Sequence, residues 1–279
     1  LINIELRKKI RKKNMAFKIC VLGSGSSGNC TYIESETTKI LIDAGLSFKQ
    51  ICLRLDSIGV DINDIEAVCF THEHHDHYQG LKTMLKRSNI KPYANTGTAS
   101  GVDARLPGVE VPWNIFTTGS DFSIGDINIH PFQVCHDAYE PVGYILKSNE
   151  IKIGIVTDMG IITELVKDYL KNCDTLVLEA NHDAELLVNS ARPWSLKQRI
   201  SGSQGHLSNT QACELLKAIS SEKLQHIFLA HLSGDCNDPE IAHKTIEKTL
   251  IDLNHQHVCI HVTQQRETTK LVHVKALEE

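Results

Sequence analysis

Thr71-His72-Glu73-His74-His75-Asp76-His77 follows Ala67-Val68-Cys69-Phe70, a short apolar run with the pattern of a buried strand. Residues two apart in extended chain point the same way, so His72 and His74 are placed to bind one ion together. The chain then turns into a helix expected from about Tyr78 to Lys86, which lets Asp76 and His77 face a second ion. Imidazole and carboxylate suit zinc, manganese or iron, and the lack of nearby cysteine argues against a structural thiolate site. A single histidine here would read as structural or solvated. Four ligand-type residues within six positions at a strand end make a chance tract a poor explanation.

One such cluster cannot close two sites. Three more candidates occupy the same kind of position, the place where α/β folds put their chemistry. His136 follows a strand over 127–134, Asp158 follows one over 151–156, and His231 follows one over 225–230. Each alone is ambiguous; Asp158, for example, also reads as the cap of a following helix. Their recurrence in order carries the argument. The remaining pattern places strands at 16–22, 30–34, 38–42, 142–147 and 175–179. Helices are placed at 46–58, 161–170, 183–189, 208–219 and 239–252, with Ile51, Leu55 and Ile58 on one face of the first. No repeat or Pro-rich linker divides the chain. The expectation is one α/β domain over 15–279, two sheets flanked by helices.

Composition bounds what such a domain does. With 279 residues, 41% hydrophobic and 23% charged, the chain is long enough for a substantial core. No apolar stretch is long enough to span a bilayer, so no membrane partner is expected. Nine scattered cysteines, odd in number and never in a C-x-x-C pair, fit reduced thiols in the cytoplasm better than a disulfide framework. Residues 1–14 form a basic leader without the features of a secretory signal. They are read as an upstream extension or a disordered segment ahead of Met15. Their net of +5 within a chain of −5 leaves −10 for residues 15–279. A body that acidic is no broad polyanion binder, so a phosphate substrate has to be held by metals and a local patch.

The H-x-H-x-D-H box followed by His136, Asp158 and His231 resembles the ordered ligand set of the metallo-β-lactamase superfamily, over residues 16 to about 262. The resemblance implies a four-layer αββα sandwich of two mixed sheets flanked by helices. It also implies two divalent metal ions, zinc or manganese. One would take His72, His74, His136 and Asp158; the other would take Asp76, His77 and His231, with Asp158 shared between them. Asp43, in Leu41-Ile42-Asp43-Ala44-Gly45, matches the superfamily's early aspartate, which supports ligand histidines from behind; a plain turn residue is the alternative. Two cations about 4 Å apart would lower the pKa of a shared water and brace a phosphate under attack by the resulting hydroxide.

Glu179-Ala180-Asn181-His182-Asp183 and Gly205-His206-Leu207-Ser208-Asn209 resemble the acidic-alanine and G-H-[ST] motifs of the phosphodiesterase branch. Leu207 interrupts the second motif, and Asn181-His182 departs from the first. That puts a plain tRNA-processing role in doubt. With Gly23-Ser24-Gly25-Ser26-Ser27-Gly28-Asn29, His136-Asp137-Ala138, Pro141-Val142-Gly143-Tyr144, Arg192-Pro193-Trp194-Ser195-Leu196-Lys197 and Ala230-His231-Leu232-Ser233, the chain is similar to the YycJ/WalJ group of bacterial metallo-hydrolases. Members are regarded as 5′-to-3′ DNA exonucleases linked to mismatch repair, which implies nucleic acid as substrate.

By that resemblance Asp76 orients the attacking hydroxide, and His206 stabilises the phosphate or protonates the leaving oxygen. Ser27 and Asn29 of the Gly/Ser turn, His182, Lys197 and Arg199 are substrate-binding candidates, with Trp194 as a stacking platform. A tight structural turn and a solvated helix face with a buried Trp explain the same residues. Short loops, 96–118 and 183–205, are expected to govern access. Two rival readings remain: a small-molecule hydrolase of a thioester, lactone or cyclic phosphodiester, and a non-catalytic metal-binding protein. The filled ligand positions argue against the second.

Overall fold

The computed structural model describes residues 16–276; the leader over 1–14 lies outside them. Among the described residues, fourteen strands form two seven-stranded sheets. The first runs β14 (Val272–Lys275), β1 (Ala16–Gly23), β2 (Cys30–Glu34), β3 (Lys39–Ile42), β4 (Ala67–Cys69), β5 (Lys91–Ala94) and β6 (Asn114–Ile115). The second runs β13 (Cys259–Val262), β12 (His226–Ala230), β11 (Thr175–Glu179), β10 (Ile151–Val156), β9 (Val142–Ser148), β8 (Ile127–Gln133) and β7 (Phe122–Ile124). Both sheets mix parallel and antiparallel pairs.

Period-two alternation sorts the strand residues into layers. Ile19 and Val21 of β1 point into the space between the sheets, where they meet Ile40, Ile129, Tyr144, Ile153 and Phe228. Their neighbours Cys20 and Leu22 point the other way. They pack with Ile51 and Leu55 of α1 (Phe48–Ser57) and with Leu81 and Met84 of α3 (Leu81–Arg87). On the far side, Leu176, Leu178, Ile227 and Leu229 pack under α5 (Glu164–Leu170), α8 (Asn209–Ile219) and α9 (Pro239–Asp252). Helices, sheet, sheet, helices: this is the αββα sandwich the sequence led us to expect.

The two stretches expected to govern access as short loops each contain a helix that was not expected. α4 (Thr96–Arg105) is capped by the Asn95 side chain, which accepts from Thr98 N at 2.8 Å. Its Gly97, Gly101 and threonines give it weak intrinsic propensity, but Gly101 lies so close to Glu73 that an added Cβ would stand 2.4 Å from its side chain. Packing, not propensity, makes this helix. The 183–205 stretch holds α6 (Ala184–Asn189), which matches the helix expected at 183–189, and α7 (Trp194–Ser201), which was not expected, with Pro193 ahead of the first turn of α7. Strands β5, β6, β7, β13 and β14 also escaped the sequence pattern, each being only two to four residues long.

Candidate metal centre

The site lies where strands of both sheets end. The antiparallel pairing of β8 with β9 and of β9 with β10 brings Gln133 and Val156 to one edge, so His136 and Asp158 emerge side by side. Parallel β10, β11 and β12 deliver Asp158, Glu179 and His231 to the same edge, with Glu179 beside Ala230 in register. In the other sheet, parallel β3 and β4 pair Ile42 with Cys69, which puts Asp43 next to the start of the Thr71–His77 stretch. Asp43, Asp158 and His231 all have left-handed backbone, with φ of 62°, 56° and 56°. Such conformations cost of order 1–3 kcal/mol in a non-glycine residue and collect at functional sites. The other non-glycine residues with positive φ among those described are asparagines in turns.

All seven expected ligand residues converge. His72 Nε2 lies 3.0 Å from His74 Nδ1, which is 3.2 Å from His136 Nε2. The back of the His136 ring faces a carbonyl, so Nδ1–H donates to Gly205 O at 3.0 Å and Nε2 points inward. Burial holds His72 well below the ordinary imidazole pKa, and burial with His136 lowers His74. The lowered pKa values of His72 and His74 favour neutral imidazoles, whose lone pairs are what a cation requires.

The second group is built on carboxylates. His77 donates from Nδ1 to Asp43 Oδ2 at 2.8 Å, and Asp43 also accepts from Thr71 N at 2.8 Å. His77 Nε2 then faces Asp158 Oδ2 at 3.3 Å and Asp76 Oδ2 at 3.5 Å, while His231 Nε2 lies 3.5 Å from Asp76 Oδ2. Asp158 reaches both groups: its Oδ1 is 3.9 Å from His136 Nε2 and 3.3 Å from His231 Nδ1. Burial disfavours the charged forms of these residues, yet the ionic contacts win. Asp43, Asp158 and Asp76 hold His77 far above its ordinary pKa, and Asp158, Asp76 and Glu179 lift His231 to about 10. In turn His231 and His77 hold Asp158 well below the carboxylate range.

These residues fit divalent metal ions. Asp158 Oδ2 and His231 Nε2 are buried without a hydrogen-bond partner and lie in overlapping groups of potential ligand atoms. A buried carboxylate oxygen and imidazole nitrogen left without a hydrogen bond are costly; a cation would satisfy both. His75, the one histidine of the opening stretch outside the ligand pattern, is exposed and stacks edge-on against Tyr78.

His206 borders the cluster and remains partly open to solvent, its side chain 20% exposed. Its Nδ1 lies 2.8 Å from Glu179 Oε1, which also meets His231 Nδ1 at 3.1 Å. Met159 N and Leu207 N donate to the other oxygen of Glu179. Against the cost of full burial, His206 and His231 keep the Glu179 pKa at about 2. In the sequence Glu179 stands out only as part of the acidic-alanine motif, with no role in the site. Its position at the end of β11, matching those of Asp158 and His231, was the available signal. Asp137 was passed over too, and it lies 3.3 Å from His136 Nε2. Ser208 caps α8 through a capping box with Gln211, which fixes the backbone just beyond His206.

The remaining candidates are spread more widely. Asn29 is buried, its amide nitrogen 3.3 Å from Asp76 Oδ2 and 3.2 Å from His77 Nε2, so it faces the ligands rather than solvent. Ser27 is exposed, and its N–H donates to Gln265 Oε1. His182 is buried, its backbone bridged to Ser208. Lys197 Nζ donates to Val188 O, away from the cluster, whereas Arg199 pairs with Asp137 at 2.5 Å. Trp194 is 66% exposed, which removes the buried-indole reading.

Fold and site together define a member of a known class, and comparison with known proteins agrees. The Beta-lactamase superfamily domain matches residues 38–229, and the chain belongs to that superfamily. Within it, the chain is 35% identical over 237 residues to the exodeoxyribonuclease YycJ of Bacillus anthracis, covering 85% of this chain and 90% of the relative. It is 36% identical over 239 residues to the exodeoxyribonuclease WalJ of Streptococcus pneumoniae, covering 85% and 89%. The metallo-β-lactamase fold protein YhfI of Bacillus subtilis shares the fold, with a TM-score of 0.67 over 91% of this chain and 98% of that one, at 14% identity.

Proposed function

We propose that residues 15–279 act as one domain, a dinuclear-metal phosphodiesterase that hydrolyses nucleic acid, most specifically a 5′-to-3′ DNA exonuclease. The observation that carries the phosphodiester assignment is His206: anchored on Glu179 at 2.8 Å, next to the buried ligand set, yet partly open to solvent. The two exodeoxyribonuclease relatives, aligned over nearly their whole length, favour DNA.

In this reading His72, His74 and His136 hold one ion, Asp76, His77 and His231 hold the other, and Asp158 serves both. When bound, the ions supply an activated water and electrostatic support for a phosphate under attack. The protein's own groups do the rest. Asp43 fixes the His77 ring so that Nε2 points inward, and Asp76 orients the nucleophile. Glu179 accepts a hydrogen bond from His206 Nδ1–H and so aims the ring; with a proton on each ring nitrogen, Nε2–H can donate to a phosphate oxygen or pass its proton to the leaving group. Arg199, on the rim beside Asp137, and exposed Trp194 offer a cation and a stacking face to the strand. His182 is buried close enough to Glu179 and His206 to feel their charge, Ser27 and Lys197 make their hydrogen bonds elsewhere, and Asn29 serves to position Asp76 and His77. The nine cysteines are all unpaired, which supports a cytoplasmic setting, and no helix among the described residues is long and apolar enough to cross a membrane.

A small-molecule hydrolase on the same fold is favoured only by the net −10 of residues 15–279. Duplex DNA labelled at the 5′ or the 3′ end, incubated with Mn²⁺ or Zn²⁺, separates the readings. Early release of the 5′ label as a mononucleotide is the expected result. Intact DNA and RNA under either metal, with rapid turnover of a lactone or thioester, would replace the nuclease with the alternative.

A further inference from the structure

A separate cluster lies at the other end of the second sheet. α9 ends at Asp252, and Asn254, in left-handed backbone at φ 59°, turns the chain towards β13. His255 is fixed in that turn: its N–H donates to Leu250 O at 2.8 Å, and its carbonyl accepts from Val258 N at 3.1 Å. Its side chain is more than nine-tenths buried, and Nδ1 has no hydrogen-bond partner. That nitrogen points at Glu222 Oε1, 3.7 Å away, too far for a hydrogen bond. The His257 ring stands 5.6 Å from the His255 ring at an interplanar angle of 88°. One ligand atom from each of Glu222, His255 and His257 lies within 4.8 Å of the other two.

Topology separates this cluster from the proposed catalytic centre. β12 and β13 run parallel, pairing His226 with Cys259 through Leu229 with Val262. Glu222 and His257 come just before these strands begin, whereas His231 comes directly after β12 ends. At about 3.3 Å per strand residue, the length of β12 alone keeps the two places more than about 15 Å apart.

We propose that Glu222, His255 and His257 form a second, independent site for a borderline divalent cation of the zinc class. Two imidazoles and one carboxylate form a three-ligand set suited to zinc, with solvent as the fourth ligand. The bound cation satisfies His255 Nδ1. It also ties the turn that follows α9 to the turn that precedes β12, clamping β13, the edge strand of its sheet. The donor chemistry ranks Cu²⁺ above Zn²⁺ and both above Mn²⁺, with Mg²⁺ excluded by the imidazoles.

The test uses the full chain and Zn²⁺ alone. Glu222→Ala and His257→Ala both change exposed residues, so the fold is retained in at least one of them. Each protein is equilibrated by dialysis at a series of buffered free Zn²⁺ concentrations, and bound metal is counted. Amide exchange of residues 253–259 is followed with and without Zn²⁺. The expected result is that wild type binds one more equivalent than either variant over the micromolar range. Affinity for that equivalent falls by about tenfold or more, at least what losing a supporting partner of a ligand costs. Zn²⁺ slows exchange in 253–259 only in wild type. Equal stoichiometry in all three proteins, with Zn²⁺-independent exchange in that turn, would leave a simple histidine–glutamate pair and overturn the proposal. Because the comparison is a difference, it stands whether or not the proposed nuclease activity is found.

Discussion

Asp43 is the residue on which the second half of the proposed metal site turns. Its carboxylate collects Thr71 N, Thr71 Oγ1 and His77 Nδ1, all within 3.1 Å, and so sets both the start of the His72–His77 stretch and the direction of one ring in it. Asp43→Ala is expected to weaken metal binding by about 10–100-fold while leaving the ligand residues themselves in place; unchanged affinity in a competition titration would contradict that role. The raised pKa values of His77 and His231 give a second expectation. At pH 7 both rings carry protons that a cation must displace, so metal binding releases protons, and binding strengthens as pH rises from neutrality towards about 10. Calorimetry in buffers of different ionisation enthalpy measures the release directly, and a buffer-independent heat would refute it. At this scale the sequence was most legible. His72, His74, Asp76 and His77 are local in the chain, and His136, Asp158 and His231 repeat one position type. Glu179 was harder because its role exists only through contacts with His206 and His231, 27 and 52 residues away.

Among the elements, the turns that bring backbone against backbone constrain the site most. Gly45 has the carbonyl of Asp76 where a Cβ would be, 1.6 Å from it, and Asn29 N at 2.6 Å. Gly45 N donates to Asn29 O, and Asn29 N donates to Asp76 O, so three segments meet at a point that admits no side chain. Gly45→Ala is expected to push the short helix α2 (His75–Tyr78) outward, carrying Asp76 and His77 out of register with His231. The measurable outcome is loss of the metal proposed for Asp76, His77 and His231, with a lowered melting temperature. Full metal content in that variant would show that the close approach is dispensable. The elements missed in the sequence share a physical cause. Lys91-Pro92-Tyr93-Ala94 contains a proline that argues against a strand, and the glycines of α4 argue against a helix; tertiary contact overrode both. The long alternating strands and the amphipathic helices over 48–57, 209–219 and 239–252 were legible because their burial pattern is their period.

For the molecule as a whole, the sandwich is held by three large apolar layers, and the proposed metal centre lies between the two sheets where those layers end. Metal bound there would link the sheets and stabilise the folded chain by mass action, by about 2.7 kcal/mol when free metal stands at 100 times its dissociation constant. Chelation is expected to abolish activity and lower the melting temperature, and Mn²⁺ or Zn²⁺ to restore both; a melting curve indifferent to chelation would argue that the cluster binds nothing tightly. The central claim is that this centre acts on a phosphodiester with help from His206, a residue outside the ligand set. Metal content and DNA hydrolysis measured together on His206→Ala test it most directly. The account predicts a full complement of metal with activity reduced by about 10²–10⁴-fold. Wild-type hydrolysis in that variant, or loss of metal in step with activity, would contradict it.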